Sequence, residues 1–183
     1  MTGPIRLAHM AIFLALAILL TFFQFPLIPS VAFLKIDFSL LPVLLVLVSF
    51  GKREAIMVLM TKMILSFFLH NQGMETVIGL PLNFLAGLSF MLVFGLFLKK
   101  GRPQTYWVAA SLATIVMTIV MCFANLLIAM PLYSGLLGID LESLYGLSGY
   151  LFGAILPFNM LAGISYSIIF FAIWHFLPDK TIR

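Results

Sequence analysis

Three asparagines in otherwise apolar segments are the residues best suited to bind a ligand. Asn83, Asn125 and Asn159 each lie within a few residues of a proline. Because an unpaired carboxamide in hydrocarbon is costly, each is expected to face another helix or a cavity. A carboxamide places a donor beside an acceptor, which suits a neutral heterocycle with alternating N–H and C=O groups. The set favours a small-molecule site, with hydrogen bonding between helices as the alternative.

A single lysine, Lys62, lies near the middle of the third apolar segment. Inserting a lysine there costs about 2.5–3.5 kcal/mol, so something should compensate its charge. Two interpretations remain open. Lys62 is a binding residue that faces a cavity, or it bridges helices and fixes their packing. No predicted membrane helix contains a carboxylate near the middle of the bilayer that could pair with Lys62.

Five aromatic residues near the asparagines could stack on an aromatic ligand. Aromatic side chains are also common where a membrane helix meets water, so a membrane-interface role is an equal alternative. The five are Phe33, Phe38, Phe84, Tyr133 and Phe158.

The motifs of catalysis are missing from the sequence. It contains no P-loop, no H-E-x-x-H and no pair of cysteines, and its three histidines fall in different segments. The sequence therefore predicts neither an enzyme nor a bound metal or cofactor. The net charge of +4 gives no reason to expect a nucleic-acid partner.

The composition places these residues in a membrane. Of 183 residues, 63% are hydrophobic and 9% are charged, and the mean hydropathy is +1.21. Soluble domains run about 45–50% apolar and 25% charged. A membrane crossing needs roughly 20 apolar residues. We therefore predict an all-α integral membrane protein, a single membrane-embedded domain over residues 1–183, with six helices at 5–25, 38–50, 53–70, 78–98, 106–130 and 150–177.

The second predicted helix is too short to cross a bilayer. Residues 38–50 rise only about 20 Å. It should therefore be buried among its neighbours or continue irregularly into the preceding loop, residues 26–37, because irregular backbone at that depth needs protein or a cavity around it.

The charges of the loops indicate the orientation. One side carries most of the lysines and arginines, and the other carries Lys35 with the acidic residues Asp37, Glu75, Asp140 and Glu142. By the positive-inside rule both termini are cytoplasmic, which agrees with an even number of crossings. The three asparagines then fall in the outer half of the bilayer.

The first predicted helix carries a stripe of small side chains, Ala8, Ala11 and Ala15, at spacings of three and four. Small residues allow another helix to approach closely, so the stripe could face a partner subunit. Alanine is also common in membrane helices, and this alternative carries equal weight.

Four short motifs resemble the substrate-binding S components of energy-coupling factor (ECF) transporters, and more narrowly their riboflavin-specific branch. They are FLKIDFS at 33–39, IGLPLNF at 78–84, PLY at 131–133 after Asn125, and LPFN at 156–159. The resemblance covers nearly the whole chain. Some members carry a glutamate where this chain has Leu80 and a lysine where it has Ala162.

The resemblance implies capture of riboflavin outside a bacterial cytoplasmic membrane. Asn125 and Asn159 would contact the flavin, and the first outer loop, with Lys35 and Asp37, would close over it. Family members work with a membrane T component and two ABC ATPases, which would dock through Ala11 and Ala15. An S component for another vitamin, a stand-alone secondary carrier and a scaffold subunit are the alternatives. A proton-coupled carrier, however, needs a carboxylate within a helix.

Overall fold

The computed structural model describes residues 3–28, 31, 34–69, 73–99 and 104–176. This part of the chain is almost entirely helical. Its helices are α1 Gly3–Thr21, α2 Leu40–Phe50, α3 Lys52–Leu69, α4 Met74–Phe97, α5 Thr105–Ala124, α6 Met130–Leu137, α7 Leu141–Tyr145, α8 Leu147–Tyr150 and α9 Leu156–His175. Two strands, β1 Phe25–Pro26 and β2 Lys35–Ile36, pair as an antiparallel ribbon.

Four stretches of the described chain are long and apolar enough to cross a membrane: Gly3–Thr21, Thr76–Phe97, Thr105–Leu137 and Leu147–His175. The predicted class of helical membrane protein is therefore confirmed. Helix α3 has 18 residues but carries Lys52, Arg53, Glu54 and Lys62, and α2 has only 11. The count of six crossings stays a prediction.

Helix α2 lies inside the bundle, as its length requires. Nine of its 11 residues are buried, and it packs against α1, α3, α4 and α9. The described chain just before it, residues 34–39, is not helical, and Ile36, Asp37 and Ser39 are buried there. The first of the two alternatives, burial of the short helix among its neighbours, is therefore confirmed.

Four helix boundaries differ from the prediction by three residues or more, one of them the start of α4, which begins at Met74 rather than at residue 78. Helix α1 ends at Thr21, because residues 25 and 26 form the ribbon with residues 35 and 36. The fifth helical stretch runs on to Leu137 and the last one begins at Leu147, so both extend into the predicted loop between 131 and 149. The fifth helical stretch continues past Pro131 because this proline lies at the start of α6, where its missing N–H is tolerated.

Two helical stretches contain a π-helical turn next to a proline. Residues Asn125–Ala129 precede Pro131, and Leu151–Ile155 precede Pro157. A proline lacks the N–H that would bond four residues back and its ring crowds that carbonyl, so the wider turn relieves the strain. Asn125 and Asn159 lie at or just beyond these turns, which set the direction in which their side chains point.

The core between α5 and α9 is tightly packed. A Cβ built on Gly163 would lie 2.6 Å from Cγ2 of Thr114, so only glycine permits this approach of the two helices. One turn further along α9, the Tyr106 hydroxyl donates to the Ser167 carbonyl oxygen over 2.6 Å. This packing fixes the two helices that carry Asn125 and Asn159.

Candidate functional site

A cavity of about 170 Å³ opens between α4, α5, α9 and the loop that follows the ribbon. Eight residues predicted from the sequence line it. They are Lys35, Asp37, Lys62, Asn83, Asn125, Tyr133, Phe158 and Asn159. The three asparagines, which lie far apart in the sequence, thus share one site.

Asn125 is buried and already holds two hydrogen bonds. Its Nδ2 donates to the Met121 carbonyl oxygen over 2.8 Å, and its Oδ1 accepts from the Tyr150 hydroxyl over 2.9 Å. A carboxamide has two N–H donors and two acceptor lone pairs. One donor and one lone pair therefore remain for a ligand in the cavity.

Asn159 lies on the facing helix with a similar anchor. Its Nδ2 donates to the Ile155 carbonyl oxygen over 2.8 Å, and its side chain is buried against the cavity. Ile155 is the last residue of the π-helical turn, so the carbonyl that accepts this bond belongs to that turn. The bond orients the amide, since a side chain held by the backbone cannot rotate freely.

Lys62 reaches the cavity from α3 and binds the third asparagine. Its Nζ donates to Oδ1 of Asn83 over 3.1 Å. The sequence offers Lys62 no carboxylate from the middle of a membrane helix, and the acidic group that interacts with it electrostatically is Asp37, which comes from the loop after the ribbon and lines the same cavity. Asp37 belongs to a loop rather than to a helix, so hydropathy gave no sign that its carboxylate would be buried.

The loop after the ribbon is held by its own hydrogen bonds. Pairing of Phe25 with Ile36 and of Pro26 with Lys35 folds the chain back. Asp37 then accepts hydrogen bonds from both the backbone N–H of Ser39, over 2.8 Å, and the Ser39 hydroxyl. This arrangement turns the Asp37 carboxylate inward, where it is 2% exposed.

Two of the predicted aromatic residues reach the cavity. Tyr133 and Phe158 line it. Phe84 does not; it is half-buried and packs against the main hydrophobic core. Phe38 contacts Phe25 and Tyr166 instead, with ring centroids 5.9 Å and 6.4 Å apart. Phe33 lies outside the described residues.

The comparisons with known proteins agree with this geometry. Residues 5–174 match the family model for the substrate-specific component of ECF transporters. The chain belongs to this family of S components. A solved S component of a bacterial ECF transporter superposes on it with a TM-score of 0.78 at 34% identity, covering 95% of each chain.

Curated relatives of this S component are named as riboflavin transporters. RibU of Streptococcus thermophilus is 41% identical, and the alignment covers 100% of this S component and 86% of the relative. RibU of Lactococcus lactis is 33% identical, with 90% and 89% covered. The riboflavin transporter FmnP of Bacillus subtilis is 32% identical, with 86% and 82% covered.

The family is a transport family, so the S component is not an enzyme. Among the residues that the structure describes, no group of three His, Cys, Asp or Glu side chains could hold a metal ion. The cavity lining offers hydrogen-bonding, aromatic and charged side chains to a ligand.

Some cavity residues were not predicted from the sequence. Thr21 ends α1 and Gln24 follows it, Met117 and Met121 come from α5, and Tyr166 comes from α9. Helical spacing could have found three of them. Met117 and Met121 precede Asn125 by eight and four residues, and Tyr166 follows Asn159 by seven, so each lies on the face of its asparagine.

The small residues of α1 lie away from the cavity. Ala8, Ala11 and Ala15 are all exposed on one side of the helix, while Ala17 and Thr21 turn into the bundle. Large apolar side chains flank the stripe, among them Leu7 and Ile12. A free face with a small-residue centre is what close approach of another helix requires.

Proposed function

We propose that this S component captures riboflavin from outside the cell and delivers it through an ATP-driven ECF complex. The observation that carries the proposal is the convergence of Asn83, Asn125 and Asn159 on one cavity. Full-length similarity to transporters named for riboflavin supports the choice of ligand.

The cavity suits the flavin ring. The isoalloxazine edge alternates N–H and C=O groups, which match the free donor and acceptor of a carboxamide. Phe158 and Tyr133 supply aromatic surface for the ring. Asn125 and Asn159 would hold the edge of the ring, and Asn83 would complete the polar wall together with Lys62.

The proposed placement in the membrane follows from the ends of α2. The cavity residue Asp37 precedes α2, whereas Arg6 pairs with Glu54 and donates to the Phe50 carbonyl oxygen beyond its other end. The cavity and the ion pair of Arg6 with Glu54 therefore lie toward opposite ends of α2. We place the cavity outside and both termini in the bacterial cytoplasm, with six helices forming one membrane-embedded unit over residues 1–183.

Transport requires partners in this proposal. A T component and two ABC ATPases would supply ATP hydrolysis, and they would dock on α1 through Ala8, Ala11 and Ala15. The exposure of these three alanines supports the docking face.

The proposal is tested by purifying the full chain from cells grown with riboflavin. The expected preparation is yellow, with a flavin absorption band and one flavin per chain after extraction. Cells grown without riboflavin provide the control, and that protein should quench added riboflavin fluorescence in a saturable titration. If the extract contains another vitamin and the protein has no affinity for riboflavin, that other vitamin is the ligand.

A transport assay in proteoliposomes separates the S component from a secondary carrier. ATP-independent accumulation of riboflavin by the chain alone would favour a secondary carrier.

A further inference from the structure

Asp37 and Lys62 bring opposite charges into one cavity wall. They are 2% and 3% exposed. Asp37 comes from the loop after the ribbon and Lys62 from the middle of α3, and both also line a smaller cavity of about 20 Å³ beside the main one. Lys35 lines the main cavity as well, but its side chain is exposed, so water screens its charge.

The two buried charges depend on each other. A lysine ammonium has three donors, of which one is given to Asn83. A buried ion without a counter-ion is strongly unfavourable. The small cavity is large enough for a water molecule that could relay hydrogen bonds between the carboxylate and the ammonium. The pair thus leaves this part of the wall without net charge.

Lys62 without its partner would be an anion site. An ammonium binds phosphate as a point charge, and in a poorly polarisable cavity its attraction acts over several ångströms. Asp37 offsets that attraction and also repels an entering anion. Because Ser39 holds the Asp37 carboxylate with two hydrogen bonds, the carboxylate cannot easily turn away.

We infer that Asp37, by neutralising Lys62, is a specificity-determining residue that makes the cavity select an uncharged flavin over its phosphorylated form. This inference rests on the proposed function. It accounts for a cavity that contains a buried lysine and still suits a neutral ligand.

The test compares the dissociation constants of riboflavin and flavin mononucleotide for the purified full chain, both measured by fluorescence quenching. Wild-type protein should bind riboflavin more tightly. Asp37→Asn should lower the ratio of the mononucleotide constant to the riboflavin constant at least tenfold, because Lys62 becomes available to phosphate. Lys62→Met should raise the ratio, because Asp37 then repels phosphate unopposed. The ratio does not depend on the fraction of active protein.

Three variants control for charge and position. Asp37→Glu keeps the charge and should keep the wild-type ratio. Glu142→Gln and Lys52→Met change the net charge at exposed positions and should leave the ratio unchanged.

Two results overturn the inference. One is a ratio within twofold of wild type in Asp37→Asn protein that still binds riboflavin, and the other is an equally large change of the ratio in Glu142→Gln. If Asp37→Asn does not fold, an unchanged ratio in Lys62→Met overturns it. Wild-type protein without affinity for riboflavin would instead defeat the proposed function.

Discussion

The Tyr150 hydroxyl donates a hydrogen bond of 2.9 Å to Oδ1 of Asn125, and this bond joins the short helix α8 to the end of α5. The two residues are 25 positions apart in the sequence, and both are buried. Tyr150 does not line the cavity itself. It holds the amide of a residue that does, so the segment around α7 and α8 helps to orient the site.

Replacing Tyr150 with phenylalanine should therefore weaken riboflavin binding, even though residue 150 does not touch the ligand. The change removes one donor to a buried acceptor, for which about 0.5–1.5 kcal/mol is typical. Fluorescence titration measures the loss. Tyr145→Phe, on an exposed ring of the same segment, is the matched control and should bind as wild type does. Equal affinity of both variants would show that Asn125 needs no anchor.

Direct removal of the carboxamides should cost more. Asn125→Ala and Asn159→Ala are each expected to weaken riboflavin binding by about 1–3 kcal/mol, since polar groups of the ligand would be buried without partners. The same titration applies, with thermal unfolding to confirm that each variant is folded. Unchanged affinity in a folded double variant would assign both residues to helix packing.

The orientation of the chain can be checked by cysteine labelling in a Cys122→Ala background. Single cysteines at Met74 and Asp140 should react with an impermeant reagent added to intact cells, because both are exposed and lie toward the cavity end. Cysteines at Lys52 and Gln104 should react only after the cells are opened. The reverse pattern would invert the topology.

The docking face on α1 predicts a separation of binding from transport. Ala11→Trp and Ala15→Trp should block close helix approach and abolish ATP-driven uptake in proteoliposomes with the partner subunits. Riboflavin binding by the isolated protein should persist, because the stripe is remote from the cavity. Leu16→Trp, at an exposed position on another side of α1, should transport normally. Normal uptake by both alanine variants would remove α1 from the docking interface.

The cap of α7 predicts a local pH dependence. Asp140 accepts hydrogen bonds from the Ser143 hydroxyl, over 2.5 Å, and from the backbone N–H groups of Ser143 and Glu142. These bonds hold the pKa of its carboxyl below the ordinary value, the Ser143 hydroxyl most of all. The cap should therefore be complete at neutral pH and lost only as pH falls through that lowered pKa. Hydrogen exchange at residues 142–143 should be slow at pH 6 and faster in Asp140→Ala, and equal rates in both proteins would contradict this.

The sequence predicted the residues whose burial is costly and missed those whose burial depends on distant contacts. Asn83, Asn125 and Asn159 could be placed together because a carboxamide in hydrocarbon must find a partner. Asp37 could not be recognised as buried, since its position depends on the pairing of residues 25–26 with 35–36.

Phe84 shows a different failure, one of helical phase. It directly follows Asn83, and neighbouring residues on a helix point about 100° apart. The cavity face of α4 is formed by Thr76, Gly79, Leu80, Leu82, Asn83 and Ala86, and Phe84 points away from the middle of this arc. Proximity in sequence suggested a shared site, whereas the helix turns the ring of Phe84 toward the core.

The ribbon of Phe25–Pro26 with Lys35–Ile36 has only two residues in each strand, and Pro26 has no N–H to donate to the ladder. So small a sheet has little stability of its own. Local opening of this segment should therefore cost far less than unfolding the bundle. Because Lys35 of the ribbon lines the cavity, we expect the residence time of a bound vitamin to depend on opening of the ribbon, and substitutions that raise the melting temperature through the α5–α9 core should leave the dissociation rate almost untouched.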